Sequence, residues 1–140
     1  MTATTSPTTD EKPRRDAPPE GYDPRPRVTD GIEPAVVGTR CTACAHPTLE
    51  DVERCPVCGG PTRPTTFART GTVFSGTVLR IPVGDRQPPI SLAYIDLDDG
   101  PRVLGHGQDP ERVLRPHERV TLVGETDEGD PAFAADGESR

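Results

Sequence analysis

Apolar residues in this chain fall in short runs, and turn residues separate the runs. Thr72–Leu79 is rich in β-branched residues and follows Gly71, which predicts a strand. Ile90–Leu97 predicts a second, in which Leu92, Tyr94 and Asp96 alternate imperfectly with Ala93, Ile95 and Leu97. Asp98-Asp99-Gly100-Pro101 is a turn by composition, and Arg102–His106 reads as a third strand after it. Arg119–Gly124 predicts a fourth, and a weak fifth surrounds Phe133. Pro82–Pro89 reads as a loop. Upstream, Ala35–Arg40 is a short strand of its own, and Pro61–Pro64 reads as a linker. No stretch has a convincing amphipathic helical period. Five short, turn-rich strands over residues 65–136 predict a small β-barrel, with an OB-fold as the natural candidate at this length.

Residues 1–33 have a different texture. They are Thr, Pro, Asp, Glu and Arg with almost no aliphatic residue, and six prolines between Pro7 and Pro26 break any helix or ladder. This segment is expected to be a disordered tail, with no role of its own or as an arm that orders on a partner. A short C-terminal tail is expected at 137–140.

Between tail and barrel lie the only four cysteines, Cys41, Cys44, Cys55 and Cys58. They form two C-x2-C pairs with ten residues between them. Each pair grips a metal from one side, and two pairs complete a tetrahedral sulfur shell that suits zinc first and iron second. Such a shell leaves no position for water or substrate, so the metal is expected to be structural. Disulfides are the alternative reading of the same residues. Residues 34–64 are therefore expected to form a zinc ribbon and its linker. If all four thiols bind metal, none is left as a nucleophile.

Composition makes that metal matter. Hydrophobic residues are 31% of 140, and 18 Pro and 14 Gly crowd the rest, so the core must be small and in need of a staple. The net charge is −7, and neither half has an excess of basic residues, which argues against a nucleic-acid groove or an anionic membrane as partner. No run approaches the ~18 apolar residues of a membrane span. The first residues lack the apolar centre of a secretory signal, so a cytoplasmic protein with metal-bound cysteines is expected.

Other candidate residues have plainer readings beside the sharper ones. His46 follows Cys44 by two residues and could compete for metal, but four thiolates already fill a zinc shell. His106, between Gly105 and Gly107, is the best single candidate for a residue near a shared active site, because flanking glycines permit close approach. His117 reads as an exposed turn residue. Asp96, Asp98 and Asp99 are explained by the turn better than by a cation site.

Together these residues resemble one family. The ribbon Pro34-x-x-Val37-Gly38-x-x-Cys41-x-x-Cys44, closed by Cys55-Pro56-x-Cys58-Gly59, precedes Gly71-Thr72-Val73-Phe74-Ser75 and then Asp98-Asp99-Gly100-Pro101-Arg102. This order is similar to that of the zinc-ribbon plus OB-fold proteins known as domain of unknown function 35. The resemblance covers roughly residues 34–125. It implies an all-β chain: a rubredoxin-like zinc ribbon followed by a five-stranded OB-fold barrel. It implies a non-catalytic accessory subunit of a thiolase-like enzyme, in an acyltransferase, thiolase or aldolase complex. The acyl-CoA site would lie on, or be shared with, the partner. The chain departs from the family in having a Pro-rich tail where many members have a helix. It also has Ala45 where Gly is frequent, and an acidic Leu49–Glu53 segment. Two alternatives remain beside this reading: a single-stranded nucleic-acid binder on the OB-fold, and a rubredoxin-like iron electron carrier.

Overall fold

The computed structural model describes residues 23–137, and among them every regular element is a strand. Expectations that fall on residues 1–22 and 138–140 lie outside the described residues. Four strands form the ribbon sheet: β1 (Arg27–Val28), β2 (Val36–Cys41), β3 (Pro47–Thr48) and β4 (Thr62–Thr66). β2 is the centre. β1 and β3 share one of its edges and β4 takes the other, because Val37 pairs with both Arg27 and Thr66, and Thr39 with both Thr48 and Pro64.

Five further strands close the barrel: β5 (Thr70–Leu79), β6 (Ile90–Leu97), β7 (Arg102–Gly107), β8 (Arg119–Glu125) and β9 (Pro131–Ala135). Around the barrel the order is β5-β6-β7-β9-β8. The pairings are antiparallel except β7 with β9. This is the five-stranded closed arrangement of an OB-fold. The period-two reading of β6 holds: Ala93, Ile95 and Leu97 are buried while Tyr94 is exposed. The strand around Phe133 is stronger than its sequence suggests, because Phe133 is fully buried at the barrel's centre. Leu114 is also buried but belongs to no strand; the loop between β7 and β8 carries it inward until its carbonyl lies against Gly76.

Two expectations change. Pro61–Pro64 is not a plain linker, since β4 covers Thr62–Thr66 and pairs with β2 over five positions. Pro64 is tolerated because β4 is an edge strand and needs a ladder bond on one side only. The tail does not run unbroken to residue 33 either. Val28 pairs with Val36 and packs partly buried on the core, so one apolar side chain recruits a short strand from polar surroundings.

Ribbon and barrel share one core through Phe67. Its ring lies between Gly38 of β2 and Gly100 of the β6–β7 turn, where a Cβ on either would come within 2.8 Å of it. Arg40 sits 5.6 Å from the ring centroid and donates to the Asp99 carbonyl at 2.5 Å. The Asp99 carboxylate in turn accepts from the Ala68 amide at 2.6 Å. Beside it, Asp98 holds Arg119 through two hydrogen bonds of 2.6 and 2.7 Å.

Phe67→Ala should cost about 3–5 kcal/mol, read as a lower urea midpoint, and should lower the protection of both modules against hydrogen exchange rather than of one. The Arg119 guanidinium, then the Thr70 hydroxyl, hold the Asp98 carboxyl at about 2 against its ordinary 3.8. Its folded value lies below its unfolded one, so its contribution is present above 3.8 and is lost as pH falls toward about 2. Asp98→Asn should flatten that limb of a stability-against-pH curve measured by thermal unfolding.

Candidate metal centre

β2 delivers Cys41 to the end of the ribbon sheet, and the chain then turns through Cys44 and returns as β3. Fourteen positions later the same turn recurs around Cys55 and Cys58. The two copies match bond for bond. The Ala45 amide donates to the Cys41 carbonyl at 3.0 Å and the Gly59 amide to the Cys55 carbonyl at 2.9 Å. The Cys41 amide donates to the His46 carbonyl at 3.0 Å and the Cys55 amide to the Gly60 carbonyl at 2.8 Å. Each turn needs a left-handed residue after its second cysteine. Gly59 supplies it at φ +75°, and Ala45 adopts it at φ +64° despite its Cβ.

The turns aim backbone amides at sulfur. Cys41 Sγ accepts from Ala43 and Cys44 at 3.3 and 3.4 Å, Cys55 Sγ from Val57 at 3.4 Å, and Cys58 Sγ from Gly60 at 3.4 Å. These donors favour thiolate. The Cys44 amide, with that of Ala43, draws the Cys41 thiol down to about 6, against opposition from burial. The Cys58 amide, with that of Val57, lowers the Cys55 thiol likewise. At Cys44 the His46 amide pulls the same way, but hydrogen bonding with Cys58 and burial prevail and push the thiol up to about 12. Four sulfurs this close compete for negative charge, and a divalent cation among them removes the competition.

The four sulfurs lie within 4.8 Å of one another. Cys41 and Cys58 are 3.4 Å apart and Cys44 and Cys55 3.6 Å, far beyond a disulfide bond. A tetrahedron with Zn–S bonds of ~2.3 Å has edges of about 3.8 Å. The cluster therefore fits a tetrahedral ion held by Cys41, Cys44, Cys55 and Cys58, with its shell closed. Cys41 and Cys55 are buried, while Cys44 and Cys58 are exposed. His46 meets the centre through its backbone.

The other candidates lie elsewhere. Asp96, Asp98 and Asp99 diverge: Asp96 pairs with Arg102 at 2.7 Å, Asp98 with Arg119, and Asp99 caps Ala68. His117 sits exposed at φ +75° and its amide donates to the Val73 carbonyl at 2.9 Å. His106 is not set in a gap left by its glycines. A Cβ on Gly105 would strike the Phe133 ring at 2.6 Å, and one on Gly107 the Ser91 hydroxyl at 2.4 Å, so internal packing accounts for both. The His106 ring joins a cluster that sequence reasoning missed. Its Nε2 lies 3.2 Å from Arg86 Nη1 and 3.3 Å from Asp130 Oδ2, and Arg86 also pairs with Asp130. Arg25 reaches the same carboxylate at 3.3 Å and the Glu128 carbonyl at 2.6 Å. Burial lowers the His106 pKa from its usual value, Asp130 opposes and Arg86 reinforces the shift. No local signal marks this cluster, because its members come from four separate parts of the chain.

A Cβ on Gly60 would stand 3.1 Å from Ala43 Cβ and 3.2 and 3.3 Å from the Cys58 and Cys41 sulfurs. Gly60→Ala should therefore weaken metal retention by about tenfold in competition with a colorimetric chelator. Ala45→Gly, which relieves the left-handed strain, should leave retention intact and raise the melting temperature slightly.

No curated protein matches the chain. Residues 65–125 match the family described as the ChsH2 C-terminal OB-fold domain. Among solved structures, a chain of the "Ltp2-ChsH2(DUF35) aldolase" is similar, with a TM-score of 0.58 and 23% identity over 72% of this chain and 84% of that one. The barrel thus matches the ChsH2 OB-fold domain in sequence, and the four-cysteine ribbon ahead of it completes the module order of the domain-of-unknown-function-35 family that the chain resembles.

Proposed function

We propose that this protein is a non-catalytic accessory subunit, carrying one structural zinc ion, that assembles with a thiolase-like enzyme and supports its acyl-CoA carbon–carbon chemistry. The observation that carries this reading is the match of residues 65–125 to the ChsH2 C-terminal OB-fold domain, beside a fold shared over 72% of this chain with a chain solved within an aldolase of two named components. The convergence of all four thiols on one point supports it, because the chain then holds no free cysteine nucleophile. Zinc would supply no chemistry beyond closing the ribbon; Cys41, Cys44, Cys55 and Cys58 would hold it. Thiolate ligation suits a reducing compartment, in keeping with a cytoplasmic protein. The partner would provide the reacting groups, and the acyl-CoA would bind on it or at the contact between the two.

The tests are metal analysis and co-purification. The isolated protein should contain one zinc per chain and no iron, and should lack visible absorbance; iron with the spectrum of a sulfur-ligated centre would favour an electron carrier instead. Expressed in its native host with a tag, the protein should retain a thiolase-like polypeptide through gel filtration, identified by mass spectrometry. Acyl-CoA turnover should need both chains. Full turnover by this chain alone, or tight binding of single-stranded DNA at low salt, would remove the reading.

A further inference from the structure

The outer face of β5, β6 and β7 carries apolar side chains that are about half exposed. Register places them in rows. Ser75, Tyr94 and Leu104 are cross-strand neighbours, and Thr77, Leu92 and His106 form the next row. Tyr94 is 48% exposed and Leu104 44%. Phe74, 51% exposed, joins them because strand alternation after buried Val73 points its ring outward. The register shifts between Val73 and Ser75, and this β-bulge sets Ser75 on the same outward face beside Phe74. A groove of about 330 Å³ runs between Ser75, Thr77, Leu92, Tyr94 and Leu104.

Single exposed apolar residues need no explanation, but a contiguous group does. It weighs more here because the chain has only three Phe and two Tyr. Phe67 and Phe133 serve the core. A chain short of core material thus sets Phe74 and Tyr94 on one outward face.

The rim selects the occupant. Arg102 lies 3.5 Å over the Phe74 ring and is held by Asp96 at 2.7 Å, so its charge is matched and stacked. At the other end His106 and Arg86 are tied to Asp130. The cations that border the groove are balanced within the protein, which disfavours a polyanion. β6 is paired on both sides by β5 and β7, so a visitor cannot add a strand here and must pack side chain on side chain. A neutral, apolar face with a polar rim suits a protein surface of the same kind.

We infer that the face formed by Phe74, Leu92, Tyr94 and Leu104 is where the partner enzyme docks, through an apolar, uncharged patch of its own. The inference rests on the accessory-subunit reading. Its occupant is the thiolase-like chain, rather than a second copy of this protein or a nucleic acid.

The test uses the full chain and the enzyme that co-purifies with it. Tyr94→Ser with Leu104→Ser alters exposed positions, and Ile81→Ser, at an exposed apolar residue in the β5–β6 loop, is the control. The double variant should bind the purified enzyme at least tenfold more weakly with an unchanged melting temperature, while the control binds as the wild type does. Hydroxyl-radical footprinting of the wild-type complex gives a reading that depends on no variant: Phe74, Tyr94 and Leu104 should be protected and Ile81 not. Undiminished binding by the double variant, or no protection of the three residues, overturns the docking face and leaves the subunit reading standing. A wild-type homodimer that the double variant abolishes, or a shift of single-stranded DNA lost in that variant, assigns the face to another occupant and overturns the inference. If the wild type retains no thiolase-like enzyme, the subunit reading itself falls and the inference with it.

Discussion

Phe67 is the joint on which both halves of the molecule close. Its ring occupies the space that two glycines leave open, one in the central ribbon strand and one in the turn between β6 and β7. Because the ring is buried against both modules, neither can shift without exposing it, and exposing a phenyl group costs roughly 1.5–3 kcal/mol before any cavity is counted. Val36 of the ribbon and Val73, Ile95 and Phe133 of the barrel belong to the same buried cluster. The polar contacts around the ring, from Arg40 to the Asp99 carbonyl and from Ala68 to the Asp99 carboxylate, fix the angle at which the modules meet.

With so little apolar material, the end of the ribbon away from Phe67 needs another source of order. The two cysteine turns offer it. They are near-copies of one another, and each points amides at sulfur before any ion arrives. Preorganised donors of this kind favour thiolate and shape a tetrahedral cage, so a metal would close what the backbone has already arranged. Ala45 illustrates how far the geometry is imposed. It adopts a left-handed conformation that its own side chain disfavours, because the turn around Cys44 requires it just as the turn around Cys58 does.

The same scarcity gives the outer face of the barrel its meaning. Aromatic side chains are few, and two of them stand outside on adjacent strands, with the nearby charges matched in pairs. The four thiols converge on one point, and Phe74, Tyr94 and Leu104 stand exposed on the strands β5, β6 and β7. The Arg25–Asp130–Arg86–His106 cluster fits this picture as a tie. It fastens the segment before the ribbon to the β8–β9 turn of the barrel, and it gives His106 a structural occupation.

The sequence by itself determined the order of the parts. Two C-x2-C pairs mark the ribbon, β-branched runs mark β5, β6, β7 and β8, and Asp98-Asp99-Gly100 marks a turn, because these signals are local: a ligand spacing, a period of two, a turn residue. The structure decided what local signals cannot carry. β4 reads as a linker until β2 is there to pair with it, and Val28 lies in a polar stretch until the core accepts it. Gly105 and Gly107 suggest an open approach to His106 until Phe133 and Ser91 fill that space from strands that are distant in the chain. Asp130 has no visible purpose until residues from far along the chain meet it. The bulge that sets Ser75 beside Phe74 shows as ordinary strand until the register with β6 slips by one. Each of these depends on a contact between distant segments, and such contacts exist only once the chain has folded.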